Sequence, residues 1–181
     1  MTRSRYLGPW RVDVTVRDGV AAPVAAAALA RAMTLAADAA GAPRPASIGL
    51  ILSDDAELAV LNAAHLGKRG PTDVLSFPLL PPESFPAHDA GLLRHSVPAN
   101  AFPLPPGRRP HLGDVVISVE RAIEQAVDGR GGQTGAIRWS PSAELRLLAM
   151  HGTLHLCGWD HAEPAEEAAM RALEARLLAQ S

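Results

Sequence analysis

Residues 151–161 read His151-Gly152-Thr153-Leu154-His155-Leu156-Cys157-Gly158-Trp159-Asp160-His161, so three of the chain's seven histidines lie within eleven positions. His151 and His155 are four residues apart, and one turn of helix takes about 3.6 residues, so on a helix both rings leave the same face. Gly158 favours a helix end, because glycine readily takes the left-handed conformation that turns the chain back. His161 then approaches the other two rings. The spacing predicts a metal site on a helix in the C-terminal half, with these three histidines as ligands.

Three imidazoles are typical of catalytic zinc, which keeps a fourth position for water. Nickel, copper and iron also accept imidazole, so zinc is the favoured metal among several. A zinc ion with neutral ligands lowers the pKa of its water to about 7, against about 15.7 in bulk. We therefore predict that His151, His155 and His161 act in catalysis through the metal-bound water. The alternative is a structural zinc site, which usually has four protein ligands.

Asp160 stands directly before His161. Its carboxylate is a candidate for orienting a ligand imidazole from outside the metal's own ligand set. An ordinary turn residue is the alternative. Cys157 lies two positions after His155 and on a continuing helix points away from the ligand face, so we expect it in the core.

The stretches on either side of this motif alternate between predicted strands and helices. Strands are predicted at 11–17, 47–52, 72–77 and 112–118, and helices at 21–40, 54–65, 119–128, 142–157 and 165–179. This order predicts one α/β (α+β) domain over residues 1–181, with a small mixed sheet of about four strands packed against about five helices. Eight prolines between Leu79 and Pro110 predict a flexible proline-rich insertion over 79–110.

The composition excludes several classes of protein. The chain has 181 residues, 48% of them hydrophobic and 20% charged, as expected for one globular domain. The formal net charge of −2 gives no sign of a broad nucleic-acid-binding face. One cysteine excludes an intramolecular disulfide and a multi-cysteine zinc site. With no apolar segment typical of a signal peptide or a membrane helix, we expect a cytoplasmic protein and no membrane partner.

Two enzyme families share the histidine spacing. Metzincin proteases carry His-x3-His-x2-Gly-x2-His, with a glutamate general base directly after the first histidine. Gly152 occupies that position here. This chain therefore has the three metal ligands of a metzincin protease but lacks the glutamate that serves as its general base. A metzincin-like zinc protease stays the alternative hydrolase.

The stretch resembles more closely the signature of the bacterial YbeY endoribonucleases, H-G-x-L-H-L-x-G-x-D-H, and matches it at every fixed position. Two further blocks resemble the family in the same order along the chain. The first comprises Leu61-Asn62, Gly67-Lys68 and residues 71–78, and the second is Leu112-Gly113-Asp114-Val115-Val116-Ile117-Ser118. One position departs from the family pattern, because Leu66 stands where the family usually has an arginine.

The resemblance implies a mixed α/β fold, one zinc ion held by the three histidines, and a metal-dependent hydrolase that cleaves single-stranded RNA. It also implies 3′-end maturation of 16S ribosomal RNA and ribosome quality control, with ribosomal RNA and the small ribosomal subunit as partners. A non-catalytic, zinc-stabilised ribosome assembly factor is a further alternative.

Three basic residues are candidates for binding the RNA phosphates: Lys68, Arg69 and Arg138. Guanidinium and ammonium groups neutralise phosphate charge, including the charge that develops during cleavage. For each of them the alternative is an ordinary surface charge, which is the more common role of such residues. The nucleophile is either water or the 2′-hydroxyl of the RNA, and the residues do not distinguish the two.

Overall fold

The structure, a computed structural model, describes residues 2–86, 108–128 and 139–181. These residues form one five-stranded mixed sheet in the order β1-β2-β3-β5-β4. The strands are β1 (Thr2–Leu7), β2 (Trp10–Val16), β3 (Ala46–Ser53), β4 (Val74–Pro78) and β5 (His111–Ser118). β2, β3 and β5 run parallel, while β1 and β4 are antiparallel edge strands. The predicted fold class, a small mixed sheet with helices, is confirmed.

The sheet has five strands rather than about four, because the N-terminal residues form an edge strand. β1 pairs with β2 through a hairpin, and Gly8 takes the positive φ of 57° that its tight turn requires. Most residues of β1 are exposed, and the strand lacks the apolar alternation that identifies a half-buried strand in a sequence. Its pairing with β2 therefore depends on the turn and on cross-strand contacts.

Five helices surround the sheet in the described residues: α1 (Ala26–Ala39), α2 (Asp55–Leu66), α3 (Val119–Asp128), α4 (Pro141–Leu156) and α5 (Pro164–Leu178). α1 packs on β1, β2 and α4, while α4 packs on β4 and β5 and also contacts α3 and α5. The main core fills this side of the sheet and includes Ile48, Leu50, Val115 and Leu148, all completely buried or nearly so. None of the described helices is long and apolar enough to cross a bilayer.

α2 covers part of the opposite face of the sheet. Leu58 from α2 packs with Leu75 from β4 and Val116 from β5 in a second, smaller apolar cluster. The helix begins where the sequence predicts, because the carboxylate of Asp54 accepts a hydrogen bond of 2.9 Å from the backbone N–H of Glu57.

Part of the predicted insertion at 79–110 is described. A short 3₁₀ turn spans Pro82–Ser84, and Phe85 is 7% exposed and belongs to the main core. Residues 87–107 of that segment lie outside the described residues, and flexibility of the insertion stays a prediction.

Candidate metal centre

The helix that carries the histidine motif has clear start and stop signals. The hydroxyl of Ser140 accepts a hydrogen bond from the backbone N–H of Ala143, and Pro141 occupies the first turn of the helix. Gly158 has φ of 81°, and the next N–H, from Trp159, donates to the carbonyl of Leu154. This is the left-handed ending expected from the glycine, and it reverses the chain toward the histidines.

The three histidine side chains converge. Potential ligand atoms of His151, His155 and His161 all lie within 4.8 Å of one another. The imidazole centroid of His161 is 5.6 Å from that of His151 and 5.0 Å from that of His155. His151 and His155 are partly buried and His161 is exposed, so one side of the cluster faces solvent. The cluster could therefore hold a metal ion, with two candidate ligands fixed by a helix and a third supplied by the following turn.

The nitrogen positions suit a metal ion. The Nε2 atoms of His151 and His155 are 3.1 Å apart. Zinc–nitrogen bonds of about 2.0–2.1 Å in tetrahedral geometry place neighbouring ligand nitrogens roughly 3.3 Å apart. The donor set is therefore compatible with zinc, with His161 as the third ligand.

Two hydrogen bonds leave the Nε2 atoms of the helix histidines facing each other. Nδ1 of His151 lies 2.7 Å from a carboxylate oxygen of Glu174 on α5, a residue that is only 9% exposed. Nδ1 of His155 donates to the backbone carbonyl of Trp159 at 2.8 Å. Such partners fix the tautomer and the ring orientation of ligand histidines. The motif spacing did not point to Glu174, because it lies on a different helix and its position depends on how α5 packs against α4.

His155 is held in its neutral form. Burial, followed by repulsion from His151 and His161, lowers the pKa of His155 from 6.5 to about 4. A neutral imidazole has a free lone pair at Nε2 when Nδ1 carries the proton, which is the form that binds a metal.

Gly152 explains how close the helix lies to the sheet. A methyl group at this position would come within 2.5 Å of a Val115 side-chain carbon and 3.1 Å of the Ser76 hydroxyl. The same hydroxyl donates to the carbonyl of Gly152 at 3.1 Å. The position that carries glutamate in metzincins therefore faces the sheet, packed against β4 and β5, and has no room for an acidic side chain.

Asp160 and Cys157 have different surroundings. The carboxylate of Asp160 accepts a hydrogen bond of 2.8 Å from the backbone N–H of His161, which is the contact of a turn residue. Its predicted role in orienting an imidazole stays a prediction. Cys157 is completely buried, and burial raises the pKa of its thiol to about 12, in agreement with the predicted core position.

The predicted RNA-binding residues lie apart from the motif in the sequence. Lys68 and Arg69 are exposed in the loop after α2, and neither forms an ion pair or hydrogen bond with the described residues. Leu66, the last residue of α2, is 56% exposed. Arg138 lies outside the described residues. The roles of all three basic residues stay predictions.

Comparison with known proteins gives a consistent family. The family model described as "Endoribonuclease YbeY" matches residues 17–181. A Salinispora tropica protein of that name is 41% identical over 145 residues, which are 80% of each chain. One from Roseiflexus sp. (strain RS-1) is 36% identical over 92% of this chain and 90% of its own. Another, from Chloroflexus aurantiacus, is 32% identical over 93% of this chain and 94% of its own.

Proposed function

The chain belongs to the YbeY endoribonuclease family, and from this premise we propose that it is a zinc-dependent endoribonuclease specific for single-stranded RNA. The observation that carries the proposal is the convergence of His151, His155 and His161, whose ligand atoms lie within 4.8 Å of one another. The enzyme would be a hydrolase that cuts phosphodiester bonds.

The three histidines would hold one zinc ion through their side-chain nitrogens. When bound, zinc supplies Lewis-acid chemistry, since it polarises a phosphoryl oxygen and makes water a stronger acid. The chain contributes the orientation of the ligands. Glu174 holds the ring of His151, the carbonyl of Trp159 holds that of His155, and burial keeps His155 neutral at physiological pH.

We also propose that Lys68 and Arg69 bind phosphates of the RNA. Both are exposed and form no ion pair or hydrogen bond with the described residues, so binding a phosphate would break no such contact. Arg138 remains a third candidate. Leu66 at the end of α2 cannot add a charge to this group, so the RNA contact near this loop would be weaker than in family members with arginine there.

The physiological substrate we propose is 16S ribosomal RNA at its 3′ end, with roles in ribosome biogenesis and ribosome quality control. The partner would be the small ribosomal subunit in the cytoplasm. Support comes from the three sequence blocks shared with the family. We further propose that residues 1–181 act as one hydrolase domain, with 79–110 as its flexible insertion.

The alternative of a metzincin-like protease is disfavoured by the contacts of Gly152, which leave no space for a general base beside the metal ligands. The alternative of a non-catalytic assembly factor predicts zinc binding without RNA cleavage.

Metal analysis and RNA cleavage, measured together, test the proposal. We expect about one zinc per chain and cleavage of single-stranded RNA, but not of duplex RNA or casein. His151→Ala should lose both the metal and the cleavage, while His65→Gln, which changes an exposed histidine on α2, should lose neither. Cleavage that persists unchanged after metal removal would contradict the mechanism, and zinc binding without cleavage would favour the assembly factor. A 2′,3′-cyclic phosphate product would identify the 2′-hydroxyl as the nucleophile.

A further inference from the structure

The sheet has a second polar region, on the face opposite the histidine helix. Val115 points toward α4, since it would meet a side chain at Gly152, so its neighbour Asp114 points to the other face. α2 covers that face near β4. Away from α2, this face holds a cavity of about 570 Å³ over β2, β3 and the start of β5, within the size range of small-ligand sites.

A bulge in β5 builds the floor of this cavity. Three residues of β3, from Ser47 to Gly49, oppose four residues of β5, from His111 to Asp114. The bulge puts His111 and Asp114 on the same face, with Nε2 of His111 3.2 Å from a carboxylate oxygen of Asp114. Nδ1 of His111 lies 3.0 Å from the hydroxyl of Ser47.

Gly49 makes room for this group. A methyl group at Gly49 would stand 1.8 Å from the Asp114 carboxylate oxygen, so any side chain there would displace this carboxylate. The cavity floor therefore presents a hydroxyl, an imidazole and a carboxylate in a fixed arrangement. These groups are hydrogen-bond donors and acceptors of the kind that bind ribose hydroxyls and base edges.

Guanidinium groups form the wall. Arg11, Arg108 and Arg109 line the cavity together with Asp13 and Asp114, so three cations face two carboxylates. Arg11 is paired with Asp13 at 2.6 Å, and Arg109 donates to the carbonyl of Pro9. Arg108 is exposed and forms no hydrogen bond or ion pair with the described residues. The wall thus has a local positive excess in a chain whose net charge is −2.

An exposed aromatic ring lies next to the guanidinium groups. An adjoining cavity of about 270 Å³ is lined by Tyr6 together with Arg11, Ser47, Arg108 and Arg109. Tyr6 is the cross-strand partner of Arg11 and is 67% exposed, although it is a large ring on a strand. An aromatic face beside arginines on an open sheet surface is the combination on which unstacked bases of single-stranded RNA bind.

We propose that this face, lined by Tyr6, Arg11, Ser47, Arg108, Arg109, His111 and Asp114, is a second nucleotide-binding site that holds one nucleotide of a single-stranded RNA. Arg108 and Arg109 bind its phosphate, Tyr6 stacks on its base, and the Ser47–His111–Asp114 group contacts its polar edges. The site lies on the opposite side of the sheet from the histidine cluster, so it binds a part of the strand away from the cut. This inference rests on the proposed function, since it takes RNA as the substrate.

The test measures binding of a labelled single-stranded RNA of about twelve nucleotides to the metal-free full chain by fluorescence anisotropy. The variant is Tyr6→Thr combined with Arg108→Gln, in which threonine keeps the strand propensity of position 6. Loss of one stacking contact weakens RNA binding about tenfold or more, and loss of one phosphate contact lowers the salt slope by about 1. Arg31→Gln is the matched control, because Arg31 is exposed on α1 and belongs to neither cavity.

A second measurement does not depend on the variant folding. RNA that carries 4-thiouridine is crosslinked to the wild-type chain, and the adduct is mapped by mass spectrometry. We expect an adduct in the peptide that contains Tyr6. Free AMP, added as a competitor, shows whether the site prefers a nucleotide within an RNA strand or a free mononucleotide. We expect AMP to displace the labelled RNA only at far higher concentration than unlabelled RNA does.

Each outcome decides the proposal. Weaker binding by the double variant with a Tyr6 adduct supports it. Equal binding by wild type and variant, or adducts only elsewhere, overturns the site while leaving the nuclease proposal intact. AMP competing as well as RNA overturns the assignment to an RNA strand in favour of a free nucleotide. A wild-type chain that does not bind RNA when metal-free and does not cut it when loaded with zinc overturns the proposed function, and this inference with it.

Discussion

The contact between Glu174 and His151 predicts that a residue outside the motif controls metal affinity. The carboxylate lies 2.7 Å from Nδ1 of His151, and its side chain is only 12% exposed, so solvent screens the contact weakly. Glu174→Gln keeps the size of the side chain and removes its charge. The amide oxygen of the glutamine can still accept a hydrogen bond from Nδ1, but without the negative charge it raises the basicity of Nε2 much less.

Loss of such a partner typically lowers metal affinity by about 10- to 100-fold, which is about 1.4–2.7 kcal/mol of binding free energy. We expect Glu174→Gln to weaken zinc binding by this amount. The contact joins α5 to α4, so Glu174→Ala should in addition lower the thermal midpoint of the metal-free chain, because it leaves a cavity between the two helices.

The assay is competition for zinc between the chain and a chromophoric chelator at pH 7, with the thermal midpoint of each metal-free variant measured in parallel. Glu167→Gln is the matched control on the same helix. Glu167 pairs with Arg171 at the surface, where its side chain is 45% exposed, and such a pair contributes little. Zinc affinity of Glu174→Gln equal to that of wild type, in a folded chain, would refute the role assigned to this carboxylate.

Three further predictions follow from single contacts. Gly152→Ala should cost about 1–3 kcal/mol of unfolding free energy and also weaken zinc binding, because a methyl group 2.5 Å from Val115 displaces α4. Urea titration measures the unfolding free energy and the chelator assay measures zinc affinity. Unchanged values of both would show that α4 does not need glycine at this position. The hydrogen bond from Arg17 lowers the pKa of Glu57 below its usual 4.5. The pair therefore stabilises the fold above pH 4.5, and this stabilisation is lost as the pH falls through the lowered pKa of Glu57 in the folded chain. Glu57→Gln should therefore lower the unfolding free energy by up to about 1 kcal/mol at pH 7 and by less at pH 3, and a constant difference would argue against the linkage. Leu66→Arg should increase RNA cleavage without lowering the thermal midpoint, because position 66 is 56% exposed; unchanged cleavage would show that a charge there is not needed.

The local part of the site could be predicted from the sequence. His151, His155 and Gly158 act within one helix and its end, where spacing alone sets the geometry. The same is true of the helix starts at Asp54 and Ser140, each of which depends on a side chain and an N–H three residues away.

The parts that depend on packing could not be predicted. Glu174 reaches His151 from another helix, and no periodicity in α5 distinguishes it from the other glutamates there. β1 has an exposed, polar pattern, and only its pairing with β2 makes it a strand. The group around His111 depends on a bulge, which shifts the side-chain alternation by one residue in a way that the sequence pattern alone does not show.

The position of Glu174 has a consequence for the order in which the site is completed during synthesis. The ribosome adds this residue thirteen positions after His161, so all three imidazoles leave the exit tunnel before the carboxylate that contacts His151. A chain interrupted between these two positions would carry the entire histidine motif and still lack the group that orients His151. A metal site assembled in this order would reach its full affinity only after α5 has been synthesised and has packed against α4.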